Sequence, residues 1–225
     1  YYPYEDYLGG KNILEYEVLG PEGAPRALVN KTSMHYRPSW YYNDSSITVT
    51  LTVVAADYNV SIYFLDWDAP SGGAHRKLLA NVTNSGDWDT VTLGNTFPEN
   101  FAAGTYAIFQ VHSTGTIIIK VTNLGSKTRY ALIAGIFLDT ISGPVTGVNF
   151  VEFDRETKGN WRPKYGNDYY LLPGFNVPVS NVTYKPVNKL YDETNFPQAN
   201  YTVSEGACQF AADDARTYGE YPYIG

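Results

Sequence analysis

Two short stretches hold carboxylates on either side of a tryptophan: LDWD at Leu65–Asp68 and DWD at Asp87–Asp89. On a strand, alternate residues face the same way, so each stretch aims its acids to one side, as a general acid and base flanking a scissile bond would have to be. Nothing else in the chain supports catalysis. His35, His75 and His112 are scattered, and no cysteine lies near them, so neither a zinc site nor a Cys–His nucleophile has its spacing. There is no Gly-X-Ser-X-Gly elbow and no glycine-rich phosphate loop. The expectation is a protein that is not an enzyme and has no catalytic residues and no cofactor. Calcium is the one ion worth testing, since Asp66, Asp68, Asp87 and Asp89 lie near turns, although acidic turn residues are more often simply solvated.

A second chemistry is written more often. Asn-X-Ser/Thr sequons stand at Asn30, Asn43, Asn59, Asn81, Asn181 and Asn200, each an acceptor for a glycan on an exported surface. They point to an extracellular or cell-surface glycoprotein, against the plainer reading that a β-protein rich in Asn, Ser and Thr gathers sequons passively. Cys208 is the single cysteine, so no disulfide within the chain can staple the fold. A net charge of −7, with only 16 Lys and Arg, argues against nucleic acid and anionic membrane as partners. The longest apolar run, Ala131–Leu138, is far too short to span a bilayer. A chain that opens at Tyr1 fits a mature, processed or partial protein.

Aromatic residues make up 16% of the chain, and strand propensity accounts for those inside apolar alternation, such as Tyr63, Tyr106 and Tyr130. It does not account for YYPYEDY at Tyr1–Tyr7, SWYYND around Tyr41 or GEYPYIG at the other terminus. Flat amphipathic rings among Pro and Gly suit docking onto another surface, either a sugar or a protein.

The elements that must position these residues are strands. SSITVTLTVVA at Ser45–Ala55 alternates Ile47, Val49, Leu51 and Val53 with threonine, the pattern of a half-buried strand. NVSIYFLDW, DTVTLG, GTYAIFQVHS, GTIIIKVTN and RYALIAGIFLD follow, with turns at Thr114–Gly115 and Leu124–Gly125. That density predicts an all-β sandwich or jelly roll. The core is expected over 45–140, with a Tyr/Pro-rich arm over 1–44 and a C-terminal segment over 141–225. Pro163, Pro173, Pro178, Pro186 and Pro197 would each remove a ladder donor, which restricts that segment to edge strands or extended arms. EGACQFAADDAR could hold a turn or two of helix.

VSIYFLDWD at Val60–Asp68, the basic HRK turn, GTYAIFQV, TIIIKVTN and ALIAGIFLD resemble the back half of a jelly-roll module of secreted, carbohydrate-associated and cell-surface proteins. Its front half carries a Gly-Asn-Trp turn followed by Tyr-Gly and Asp-Tyr, and that signature stands here as KGNWRPKYGNDYY, behind the core instead of before it. The resemblance implies a structural LDWD, with its acids held against a basic residue such as Arg76. The reversed order allows two geometries: the segment folds back on its own core, or it completes a neighbour's sandwich by strand complementation. The second leads to an open head-to-tail polymer of identical subunits. In that polymer Trp161, Tyr165 and Tyr169 would anchor the exchanged strand, and Phe64, Phe109, Ile118 and Phe137 would line its groove. The expectation is a non-enzymatic, glycosylated extracellular filament subunit. A carbohydrate-binding module of a secreted enzyme or adhesin remains the alternative, and a surface-layer tile shares the assembly logic.

Overall fold

The structure, a computed structural model, describes residues 26–29, 36–37, 39–66, 76–94, 101–125, 130–175, 185–186, 192–197, 200–204 and 207–211. These form an all-β, antiparallel sandwich without an α-helix.

The strands run in chain order as β1 (Leu28–Val29), β2 (Tyr36–Arg37), β3 (Ser39–Asn43), β4 (Ser46–Thr52), β5 (Ala56–Phe64), β6 (Leu78–Thr83), β7 (Trp88–Leu93), β8 (Thr105–Ser113) and β9 (Thr116–Asn123). They continue as β10 (Ala131–Ile133), β11 (Gly135–Thr140), β12 (Val148–Asp154), β13 (Tyr169–Leu172), β14 (Lys185–Pro186), β15 (Glu193–Thr194), β16 (Tyr201–Val203) and β17 (Cys208–Ala211). One main sheet has the order β16-β4-β9-β6-β7 and the other β12-β8-β5-β11-β13-β15. A smaller sheet, β10-β3-β17-β14, extends from the starts of β4 and β11, and β1 pairs with β2.

Alternation explains the five-stranded sheet. Ile47, Val49 and Leu51 on β4, Leu78, Ala80 and Val82 on β6, and Ile117, Ile119 and Val121 on β9 are fully buried on its inner face. Their neighbours Thr48, Thr50, Thr83, Ile118, Lys120 and Thr122 take the outer face, by the period of two. The six-stranded sheet differs, because β5, β8 and β11 are buried on both faces. Val60, Ile62, Phe64, Phe109 and Leu138 face the partner sheet, whereas Tyr63, Tyr106 and Phe137 face away, under a cover described below.

Both open sides are tied. On one, the amide of Phe150 on β12 donates to the Asp89 carboxylate of β7 at 2.6 Å. On the other, buried Asp192 accepts from Tyr41 at 2.5 Å, from Tyr201 at 3.0 Å and from the Gly174 amide at 3.0 Å. There, too, the Phe196 ring stacks on Tyr169 at 4.7 Å.

The two ends are unlike. At one, the turns 53–55, 84–87, 114–115 and 141–147 are short and cross-linked: Val53 donates to Gly115 at 3.0 Å, His112 to Gly147 at 2.8 Å, and the Asn84 side chain to His112 at 2.8 Å. At the other lie the strand ends Phe64, Leu93, Asn123 and Leu172, which lead into the long connections, together with the small sheet.

Several expectations change. The C-terminal segment supplies β12, β13 and β15 to one main sheet and β16 to the other, so it folds back onto the core of its own chain. Residues 39–43, expected in the arm, form a sheet strand in which Tyr41 is fully buried. The helical turn expected near Cys208 is strand β17, because backbone pairing with β3 satisfies its amides in extended form. β6 was not expected at all.

Candidate assembly and glycan-bearing surfaces

The cover over the outer face of the six-stranded sheet is built from two pieces distant in sequence. One is the loop from Asp154 to Asp168, which holds the GNW signature. The Trp161 ring lies 5.0 Å from Phe137 and 5.2 Å from Tyr170, and the Tyr165 ring lies 4.4 Å from Tyr106. The other piece is Arg26–Val29, in which Ala27, Leu28 and Val29 are buried. They interlock. Trp161 Nε1 donates to the Val29 carbonyl at 2.7 Å, and the Val29 amide donates to Gly159 at 3.1 Å. The Tyr63 hydroxyl donates to the Arg26 carbonyl, and Arg26 Nη1 donates to Ala102 at 2.8 Å. Leu28 sits over Gly135, where an added Cβ would come within 2.9 Å of its Cδ1.

Asp154 organises the loop from beneath. It accepts from Lys164 at 2.7 Å, from the Tyr165 hydroxyl at 2.6 Å, and from the amides of Glu156 at 2.8 Å and Thr157 at 3.0 Å. Burial would raise its pKa. The hydrogen bonds from Lys164, Thr157 and Tyr165 together outweigh this and hold the carboxyl well below its usual range. Burial likewise pushes the hydroxyls of Tyr63, Tyr106 and Tyr165 up, so all three are neutral donors.

The residues expected to form one groove occupy three places. Phe64, 6.2 Å from Phe101, and Phe109 lie between the sheets, and Phe137 lies under Trp161. Ile118 is on the outer face of the other sheet, between Thr50 and Thr83. Tyr169 is apart from Trp161, against Phe196.

Asp66 is fully buried and paired with the guanidinium of Arg76, while its second oxygen accepts the Arg76 amide at 3.2 Å. Its carboxylate thus pins the ends of the connection at 67–75. Asp68 lies outside the described residues. Asp87 abuts Gly147, and Asp89 is taken up by the amides of Thr90 and Phe150. No cluster of three metal-ligating side chains occurs among the described residues.

Four sequon asparagines are described, Asn43, Asn59, Asn81 and Asn200, and all are partly exposed. Asn30 and Asn181 lie outside the described residues. In all four, Nδ2, the atom that would carry a sugar, has no hydrogen-bond partner among the described residues, as is also the case for exposed Asn160, which is not in a sequon. In Asn84, Asn123, Asn149, Asn167 and Asn195, also outside sequons, Nδ2 donates to a carbonyl or carboxylate at 2.7–3.2 Å. In two sequons the third residue engages the amide oxygen instead: Thr83 Oγ1 donates to Asn81 Oδ1 at 2.7 Å, and the Ser45 amide to Asn43 Oδ1 at 3.2 Å. Sequence reasoning could find the sequons but not which amide nitrogens the fold leaves unused.

Comparison with protein-family models, with curated proteins and with solved structures finds no match to this chain.

Proposed function

We propose that this chain is a structural subunit of a glycosylated extracellular filament, polymerising when a segment of one copy completes the sandwich of the next. The observation that carries this reading is the seam between Arg26–Val29 and the Trp161 loop. A three-residue apolar plug, continuous with an aromatic N-terminal arm, is held by non-covalent contacts that two copies can make as readily as one, which is the geometry of segment exchange. In this scheme Trp161 and Tyr165 remain the anchors, but as the receiving side, and residues 26–29 are the donor. The unlike ends of the sandwich also support it, because a head-to-tail joint needs two different surfaces. The unused Nδ2 atoms of four sequons support the extracellular, glycosylated part.

The test is a chain that begins at Asn30. It is expected to stay unpolymerised in electron micrographs, with red-shifted Trp161 emission that returns when a peptide of residues 1–29 is added. Filaments formed without residues 1–29 would refute the exchange.

One observation favours the second reading, a carbohydrate-binding module: Trp88 stands 65% exposed on the outer sheet face beside Thr83 and Thr90, as a sugar platform would. A monomer at all concentrations that pulls down with insoluble polysaccharide would replace the filament reading with this one.

A further inference from the structure

The outer face of the five-stranded sheet carries that exposed indole in a definite register. Trp88 on β7 pairs with Thr83 on β6, and Thr83 with Ile118 on β9. In the next row Thr90 pairs with Asn81, and Asn81 with Lys120. Asn81 is therefore the diagonal neighbour of Trp88, pointing to the same side, with the backbones roughly 7–8 Å apart at that offset. Its amide is already oriented, since the Thr83 hydroxyl holds Oδ1 at 2.7 Å while Nδ2 has no hydrogen-bond partner among the described residues.

We propose that Asn81 carries an N-linked glycan whose first sugars lie across β6 and β7, with the apolar face of a pyranose ring stacked on Trp88 and its hydroxyls over Thr83, Thr90 and Lys120. This rests on the glycoprotein reading above and adds an address and a contact. The linkage would form when Nδ2 attacks the anomeric carbon of a saccharide carried on a lipid pyrophosphate. The new C–N bond replaces the anomeric C–O bond, the lipid pyrophosphate leaves with the electron pair, and Nδ2 loses one proton. The product amide keeps Oδ1 as an acceptor, so the Thr83 hydrogen bond survives, and no bond of the fold is given up. An exposed tryptophan at the edge of a hydroxyl-bearing face would thereby be covered by the chain's own modification.

The experiment uses the glycoprotein from its producing cells, the Asn81→Gln variant, and Trp88→Phe in both backgrounds to isolate the Trp88 signal. Glycopeptide mass spectrometry reads occupancy, and iodide quenching reads the accessibility of Trp88. Expected is an occupied Asn81, with Trp88 quenching lost in the glycoprotein and regained in Asn81→Gln. Occupied Asn81 with equal Trp88 quenching in both chains overturns the stacking while leaving the glycoprotein reading intact. An unmodified Asn81 beside glycans at Asn43, Asn59 or Asn200 overturns it as well. Modification at none of the sequons overturns the glycoprotein reading itself. Protection of Trp88 by added soluble β-glucan alone, equally in both chains, assigns the platform to an external saccharide and also overturns it.

Discussion

Trp161 and Asp154 are the two residues on which the cover depends most. Trp161→Ala removes a fully buried ring system, and the loss should be about 3–5 kcal/mol, a fall in Tm on the order of 10 °C by calorimetry. Trp161→Phe keeps a ring but leaves the Val29 carbonyl without its donor, so it should cost roughly 1–3 kcal/mol for that loss, with some packing added. Asp154 governs acid stability. Its folded pKa lies below the ordinary value of 3.8, so its contribution is fully present above that value and is lost as pH falls below 3.8 toward the folded pKa. Asp154→Asn should flatten the acid limb of a Tm-against-pH curve between about pH 4 and 2, while lowering Tm at pH 7. The unused Nδ2 atoms give a third expectation. In unglycosylated protein Asn59→Gln should change stability by no more than about 0.5 kcal/mol, whereas Asn84→Ala, which breaks bonds to His112, Gly86 and Asp87, should cost about 1–3 kcal/mol. At this scale the sequence marked Trp161 as a ring to bury but not where it would be buried. Its address depends on Phe137 and Val29, neither near it in the chain.

Strands were legible where alternation was long. Ser46–Thr52 shows its two faces in its letters, Thr against Ile, Val and Leu. Ile117–Ile119 does not, because three isoleucines in a row carry no parity, and only the register with Thr50 and Thr83 turns Ile118 outward. β6 was hidden for the opposite reason: LLANVT marks its inner face with an alanine and its outer face with a leucine, and hairpin pairing with β7 fixes it. β17 looked helical because Ala, Gln and Glu are good helix formers, and sheet pairing with β3 overrode that propensity. The turn before β8 offers a test. Gly104 has φ +87, and a Cβ there would fall on the Tyr63 ring, which itself holds the Arg26 carbonyl. Gly104→Ala should therefore cost at least about 2 kcal/mol in urea unfolding and loosen residues 26–29, read as faster proteolysis near Arg26.

Taken whole, the sandwich was legible as a class, and its closure was not. Composition and period announce an all-β core, yet which strands flank it depends on contacts that span most of the chain. The Ser204 hydroxyl accepts from the Thr48 amide at 3.1 Å across 156 positions, and Trp161 reaches Val29 across 132. Such a topology should fold slowly, in the range of seconds or longer, and stopped-flow refolding should show Trp161 burial and β16 docking completing together. One consequence concerns timing during synthesis. A nascent chain that has reached Thr140 owns β4, β9, β6 and β7 of one layer and β5, β8 and β11 of the other, but lacks the Trp161 loop, the flanking strands β12, β13 and β15, and β16, the partner of the outer edge of β4. It stays an unsealed intermediate until residues near 200 emerge. Closure therefore comes late: the sandwich cannot lock before the strands beyond Thr140 are made.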